Sequence, residues 1–254
     1  MITALVHAVG PAFARCELTF VARQPIDVPL AARQHAEYCR VLEACGVRVR
    51  SVSVSPEHPD AVFVEDAVVM LDEIAIATAM GAASRRGEVD NLLPVLERER
   101  KVVRLGAQAT LEGGDVLRIG RTLYVGESRR TNAAGIAALA EIVVPLDYRV
   151  VVVPVHGCLH LKTACTALDA RTVIVNPRWI DTSWLADCEL LTVPTNEPFG
   201  ANTLTLCDTV LVSATHPLTA ALIASTGRRV RSVGISELEK AEAGLTCLCV
   251  VFES

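Results

Sequence analysis

One pattern recurs along this chain of 254 residues: an apolar run of strand length, a helical stretch, then a second strand. The tightest copies begin at Glu73 (EIAIATA), Thr122 (TLYVG), Thr172 (TVIVN) and Thr209 (TVLVS). EIAIATA leads to a helix near Glu88–Glu97 and a strand at Lys101–Leu105. TLYVG leads to a small-residue helix through Ile142 and a strand at Arg149–Val153. TVIVN leads to a helical stretch at Asp181–Asp187 and a strand at Glu189–Val193. TVLVS leads to Pro217–Ser225 and Arg229–Val233. A looser copy opens the chain, with Ile2–Val9, a helix near Ala31–Cys45 and Val47–Val54. Another short strand follows each unit, at 62–70, 115–119, 163–168, 203–207 and 246–252. Self-similarity at about 50 residues signals a repeat architecture. Five ββαβ-type units with no linker or low-complexity stretch predict an α/β fold in one domain, 1–254, closed radially as a propeller. The competing arrangement is an ordinary open α/β sheet.

The repeat also orders the polar residues. Beside the last strand of each unit stands Asp60 or Asp66, Glu112, His160, Asn202, and Cys247 or Cys249. In a radial fold these positions converge near the axis. Carboxylates, an imidazole and a thiol meeting there form a catalytic set by type.

Composition excludes several other classes. Apolar residues make up 51% and mean hydropathy is +0.39. Yet the longest unbroken apolar run, Cys247–Phe252, falls far short of the roughly 18 residues a membrane span needs. The net charge of −5, with no basic cluster, argues against nucleic acid as a partner. The first arginine is Arg15, so the N-terminus lacks the basic region of a signal peptide. Nine cysteines without framework spacing read as reduced thiols, and the expected compartment is the cytoplasm.

The candidate residues each have a functional and a plain reading. Alternation puts Cys247 and Cys249 on the same side of a strand, as a nucleophile with its neighbour or as two small core residues. His160 is an acid–base partner for a thiol or a structural histidine. His156, Cys158 and His160 alternate possible metal ligands, but zinc ligands are more often spaced for a turn or helix, so no metal is expected. Glu112 and Asp115 flank a diglycine that allows a sharp turn or close approach to a ligand. Glu65 and Asp66 interrupt an apolar strand, which is costly unless a cation partners them. Arg85-Arg86 and Arg129-Arg130 stand at matching places in successive units, and Arg grips carboxylates bidentately. Together these suit an amino acid with a cationic side chain: acids hold the guanidinium, arginines the α-carboxylate, and a thiol attacks the guanidinium carbon.

Asp60–Asp66 (DAVFVED), Ser84–Arg86 (SRR), Thr110–Asp115 (TLEGGD), Ser128–Asn132 (SRRTN), Leu159–Lys162 (LHLK), Ala201-Asn202 and Leu245–Cys247 (LTC) resemble the dimethylarginine dimethylaminohydrolase family in order along nearly the whole chain. That resemblance implies the five-bladed, pseudo-symmetric α/β propeller of the guanidino-group-modifying (pentein) superfamily. It implies hydrolysis of asymmetric dimethylarginine and monomethylarginine to citrulline plus dimethylamine or methylamine, with no cofactor or metal. By the same resemblance Cys247 is the nucleophile, His160 the general acid and then base, and Glu112 the carboxylate holding guanidinium and histidine. Asp66 anchors the guanidinium with Glu65 beside it. Asp60 and the backbone of Leu18 bind the α-amino group, Arg85 and Arg130 bind the α-carboxylate, and residues 10–28 form a lid. The sequence departs from the family at Cys249, where Ser or Thr is usual, and at Glu242-Ala243-Gly244. The expected partner is a small molecule, with the chain a monomer or homodimer. An arginine deiminase-type enzyme is the alternative. A non-catalytic propeller resembling ribosome anti-association factors would lack the Cys and His.

Overall fold

The computed structural model describes residues 1–106 and 108–253. Among them, the strands form five separate three-stranded sheets. Each sheet has an antiparallel inner strand, a central strand and a parallel outer strand. Four blades are contiguous in sequence: Val68–Met70, Ile74–Ala77 and Lys101–Arg104; Val116–Ile119, Thr122–Glu127 and Arg149–Pro154; Cys165–Ala167, Thr172–Val175 and Glu189–Thr192; Leu204–Leu206, Thr209–Ser213 and Arg229–Val233. The fifth joins the two ends of the chain. Ile2–His7 pairs antiparallel with Val250–Glu253, with Ile2 opposite Glu253, and parallel with Arg48–Val52. This is the five-bladed propeller, and the radial reading of the repeat holds.

The sequence explains which strand takes which place. Ile74–Ala77, Thr172–Val175 and Thr209–Ser213 are buried at every position, as a strand covered on both faces must be. Outer strands such as RVRSV at 48–52 and 229–233 carry arginines on exposed or half-buried positions, which discourages pairing with another chain. Helices Val28–Ala44, Arg86–Leu96, Ala133–Val143 and Pro217–Ser225 connect central to outer strands. In the Cys165–Thr192 blade that connection shrinks to the 3-10 turn Thr182–Leu185. Asp27 and Asn132 cap their helices by accepting N–H groups three residues on.

One sequence expectation changes with consequences for the site. The segments read as strands at 62–67 and 246–249 are not strands. Val64–Ala67 and Thr246–Leu248 are 3-10 turns preceding the inner strands. Similar turns, Gly113–Asp115, Leu161–Ala164 and Pro198–Ala201, precede the other three. Apolar periodicity misses them because both turn and strand are buried here. Five helical turns therefore bring their side chains to one end of the inner strands. A cavity of about 280 Å³ is lined further along by residues from all five inner strands. Among the described residues, no helix is long and apolar enough to cross a membrane.

Candidate active site

Three of the five turns build the acid–base centre. Glu112 precedes the Gly113–Asp115 turn and is fully buried. One of its oxygens lies 2.8 Å from His160 Nε2. The other accepts the Gly81 N–H at 3.0 Å and Arg130 Nη1 at 3.3 Å. Asp66 lies on the other side of the imidazole, its Oδ1 3.8 Å from His160 Nδ1. The diglycine is what lets these groups meet. A Cβ on Gly114 would stand 2.6 Å from His160 Nδ1 and 2.8 Å from Asp66 Oδ1. The glycine serves close approach here, not a positive φ.

Burial works against a charged imidazole, but Asp66, Asp115 and the Glu112 hydrogen bond outweigh it and raise His160 to about 9. Burial likewise opposes Glu112 ionisation, yet His160, Arg85 and Arg130 bring it down to about 2. The pair is thus a carboxylate and an imidazolium at neutral pH. Asp66, Glu112 and His160 also have ligand atoms within 4.8 Å of one another. Arg85 and Arg130 already bond these carboxylates, and their charges oppose a metal cation there. His156 points outward and exposed, so the alternating His156–His160 set does not converge.

Cys247 lies in the 3-10 turn Thr246–Leu248, with its sulfur receiving the Gly244 N–H at 3.4 Å. Asn202 holds this turn beside the histidine turn. Its Oδ1 accepts Thr246 N–H at 3.1 Å, while its Nδ2 donates to Lys162 O at 3.0 Å. Burial, with Glu65 and Asp66 nearby, pushes the Cys247 thiol well above its ordinary range. Cys249 is not on the same side of a strand as Cys247. It ends the turn, receives the Tyr38 hydroxyl at 3.0 Å and lines the 280 Å³ cavity.

Cys247, His160, Asp66, Asp60, Arg85 and Arg130 line one cavity of about 20 Å³. Burial lifts Asp60 to about 6 despite Arg85, and its carboxylate accepts the Glu17 N–H at 3.1 Å. One arginine of each predicted pair faces inward: Arg85 and Arg130 are buried, Arg86 and Arg129 exposed. Arg85 is held by Asp66 at 2.7 Å, Glu88 at 2.9 Å and the carbonyls of Asp60 and Phe63. Three predicted residues do not line the cavity. Glu112 lies behind His160, bonded to its Nε2. Leu18 packs on the apolar core through its side chain. Glu65 faces the 280 Å³ cavity, where its carboxylate pairs with Lys162 and accepts the Thr246 hydroxyl at 2.9 Å. The resemblance put Glu65 beside Asp66 at the guanidinium; here the turn directs the two carboxylates to different cavities.

Asp115 was a candidate by its place after the diglycine without a role assigned to it, and Glu242 escaped the sequence reading. Asp115, fully buried, accepts Ser128 Oγ at 2.6 Å, Thr131 Oγ1 at 2.7 Å and the Leu161 N–H at 2.9 Å, and so fixes the turn that carries His160. Its place in Gly113-Gly114-Asp115 was the available signal. Glu242 lines the cavity and bonds the backbone of residues 19–21, a contact 221 to 223 residues apart in sequence with no local signature.

The family model described as N,N dimethylarginine dimethylhydrolase, eukaryotic, matches residues 23–192. The N(G),N(G)-dimethylarginine dimethylaminohydrolase of Streptomyces coelicolor is 42% identical over 255 residues, covering 97% of this chain and 95% of its own. The chain belongs to the dimethylarginine dimethylaminohydrolase family. The family member of Pseudomonas aeruginosa is 33% identical over 89% of this chain and 90% of its own. A solved structure of the Pseudomonas aeruginosa protein, a cysteine-to-serine mutant complexed with citrulline, superposes with a TM-score of 0.94 at 30% identity, covering 98% of each chain. A dimethylarginine dimethylaminohydrolase adduct with S-methyl-L-thiocitrulline gives the same TM-score and identity over 98% of this chain and 99% of that one. The N-terminal domain of ArgZ, 20% identical over 99% of this chain and 97% of its own with a TM-score of 0.89, shares the fold.

Proposed function

We propose that the chain hydrolyses asymmetric dimethylarginine and monomethylarginine to citrulline plus dimethylamine or methylamine. The observation that carries this reading is the charge pattern of one small cavity. A thiol, an imidazolium locked on a buried carboxylate, two further acids and two arginines line or back it. Family membership supports the substrate class.

In this reading Asp66 binds the guanidinium and Asp60, with the backbone near Leu18, the ammonium. Arg130 binds the α-carboxylate. Arg85 carries its charge toward that site while its fork is held by Asp66 and Glu88. Unliganded, Cys247 sits among acids that oppose a thiolate. A bound guanidinium cation reverses that field, and the thiol proton passes to solvent. The thiolate attacks the guanidinium carbon. His160 gives its proton to the methylated nitrogen, the C–N bond breaks, and a thiouronium remains on Cys247. Neutral His160 then takes a proton from water, whose oxygen attacks the same carbon. The C–S bond breaks, the second water proton goes to solvent, and citrulline leaves. Glu112 holds the imidazole in orientation and stabilises its charge. We further propose that residues 1–254 act as one catalytic domain, in the cytoplasm, as a monomer or homodimer.

Citrulline formation from asymmetric dimethylarginine, monomethylarginine and arginine, with the ureido product from agmatine in parallel, tests the reading. It expects both methylarginines to be the better substrates and agmatine to fail for want of a carboxylate. Faster turnover of arginine would instead make the chain a deiminase-type enzyme.

A further inference from the structure

Ala241, Glu242 and Ala243 wall the reaction cavity together with Glu17, and Glu242 also holds the loop that follows Glu17. The Glu242 carboxylate accepts the backbone N–H groups of three consecutive residues: Thr19 at 2.7 Å, Phe20, and Val21 at 2.9 Å. Glu242 does so from a left-handed backbone at φ 62°, which a non-glycine residue rarely adopts. The same stretch grips the loop again further along. Lys240 Nζ donates to Pro25 O at 3.0 Å, and Asp27 N–H donates to Glu237 at 2.8 Å. Arg130 reaches Thr19 Oγ1 at 3.2 Å from across the cavity. Two residues after Glu242, the Gly244 N–H touches the Cys247 sulfur. A Cβ on Gly244 would stand 2.2 Å from the Asn202 side chain, so this loop is pressed against its neighbour.

The cavity, about 20 Å³, has room for about one water. An amino acid the size of arginine enters only when the cavity wall gives way, and the loop that follows the wall residue Glu17 is tied there by the bonds of residues 19–21 to Glu242. We propose that Glu242 is a positioning residue whose carboxylate latches residues 19–21 over the bound substrate, joining lid closure to the loop that carries Cys247. The substrate named in this closure rests on the methylarginine reading; the latch itself does not. A carboxylate suits the task because two charged oxygens serve three N–H donors, which the single carbonyl oxygen of an amide cannot match.

Two variants test it. Glu242→Gln removes the charge. Glu242→Gly removes the side chain while suiting the positive φ, so it should fold at least as well. Trypsin cleavage after the exposed Arg15 and Arg23, followed in the unliganded protein, should speed up by about tenfold in both variants as the lid opens. KM for asymmetric dimethylarginine should rise by about tenfold, because only the closed fraction binds tightly, while kcat stays within about threefold. Unchanged proteolysis and KM would overturn the latch. So would a fall in kcat at constant KM, which would put Glu242 in the chemistry. Faster proteolysis with no turnover of methylarginine by any form, the unaltered chain included, would keep the latch and overturn the substrate reading instead.

Discussion

The two cavities on the propeller axis draw on near-neighbour residues and put them to opposite uses. Asp66, His160 and Cys247 line the small cavity; Glu65, Lys162 and Cys249 line the large one. In the large cavity acid and base cancel, since Glu65 pairs with Lys162 and Cys249 receives a neutral hydroxyl from Tyr38. In the small one the acids outnumber what the arginines satisfy, His160 is held charged, and the thiol is left opposed. Size is therefore no guide to chemistry here: the cavity of 280 Å³ is electrostatically settled and that of 20 Å³ is not. The teaching is that a buried cluster becomes reactive when its charges lack partners that a substrate can supply.

Substitutions can break this contrast. Cys247→Ser should lower citrulline formation by at least about a thousandfold while leaving the melting temperature nearly unchanged, since a serine cannot supply the thiolate. A comparable loss in Cys249→Ser with activity kept in Cys247→Ser would exchange the roles of the two cavities.

The pH profile is the next largest effect. His160 must be protonated to release the amine, so kcat/KM should fall by about tenfold per pH unit above roughly 9. The sign for stability follows the same proton. Because the folded value lies above the ordinary histidine value of 6.5, the contribution of His160 is complete below about 6.5 and is lost as pH rises through 9. Glu112, held near 2, contributes above its usual 4.5 and is lost as pH falls toward 2. An alkaline limb that survives in His160→Gly would assign that proton elsewhere.

Arg130→Ala should raise KM for dimethylarginine by about ten- to a hundredfold, the value of one charge-assisted bond, and leave a decarboxylated analogue much less affected. Equal losses would show that Arg130 does not read the carboxylate.

In the large cavity the same kind of change should act on stability and spare activity. Lys162→Met leaves Glu65 buried without its cation and should cost about 3 kcal/mol in denaturant unfolding. With Cys249→Ser it should keep kcat/KM within about threefold. A loss of activity equal to that of the small-cavity variants would erase the distinction between the two ends.

The contrast also shows where sequence reading stops. Thr209–Ser213, Pro217–Ser225 and Arg229–Val233 were legible to the residue, because a buried central strand, a helix and an edge strand each leave a distinct pattern. The repeat therefore yielded the propeller, and the recurrence of polar residues in each unit pointed to the axis. The turns were not legible. Val64–Ala67 is buried throughout, and nothing in VEDA separates a 3-10 turn from the strand that follows. The same misreading at Thr246–Leu248 put Cys249 on one strand face with Cys247. Glu242 was hidden for another reason: what it does depends on backbone N–H groups far away in sequence, and those carry no side-chain signature.

The central claim is that the thiol at the small cavity makes the covalent bond and that His160 removes it. Incubating His160→Gly with S-methyl-L-thiocitrulline, whose leaving group needs no acid, and mapping the mass increase by peptide mass spectrometry tests both parts at once. The account predicts a persistent adduct on Cys247, in the segment Ala243–Cys249, with Cys249 unmodified. An adduct on Cys249, or turnover of the analogue at the rate of the unaltered protein, would contradict it.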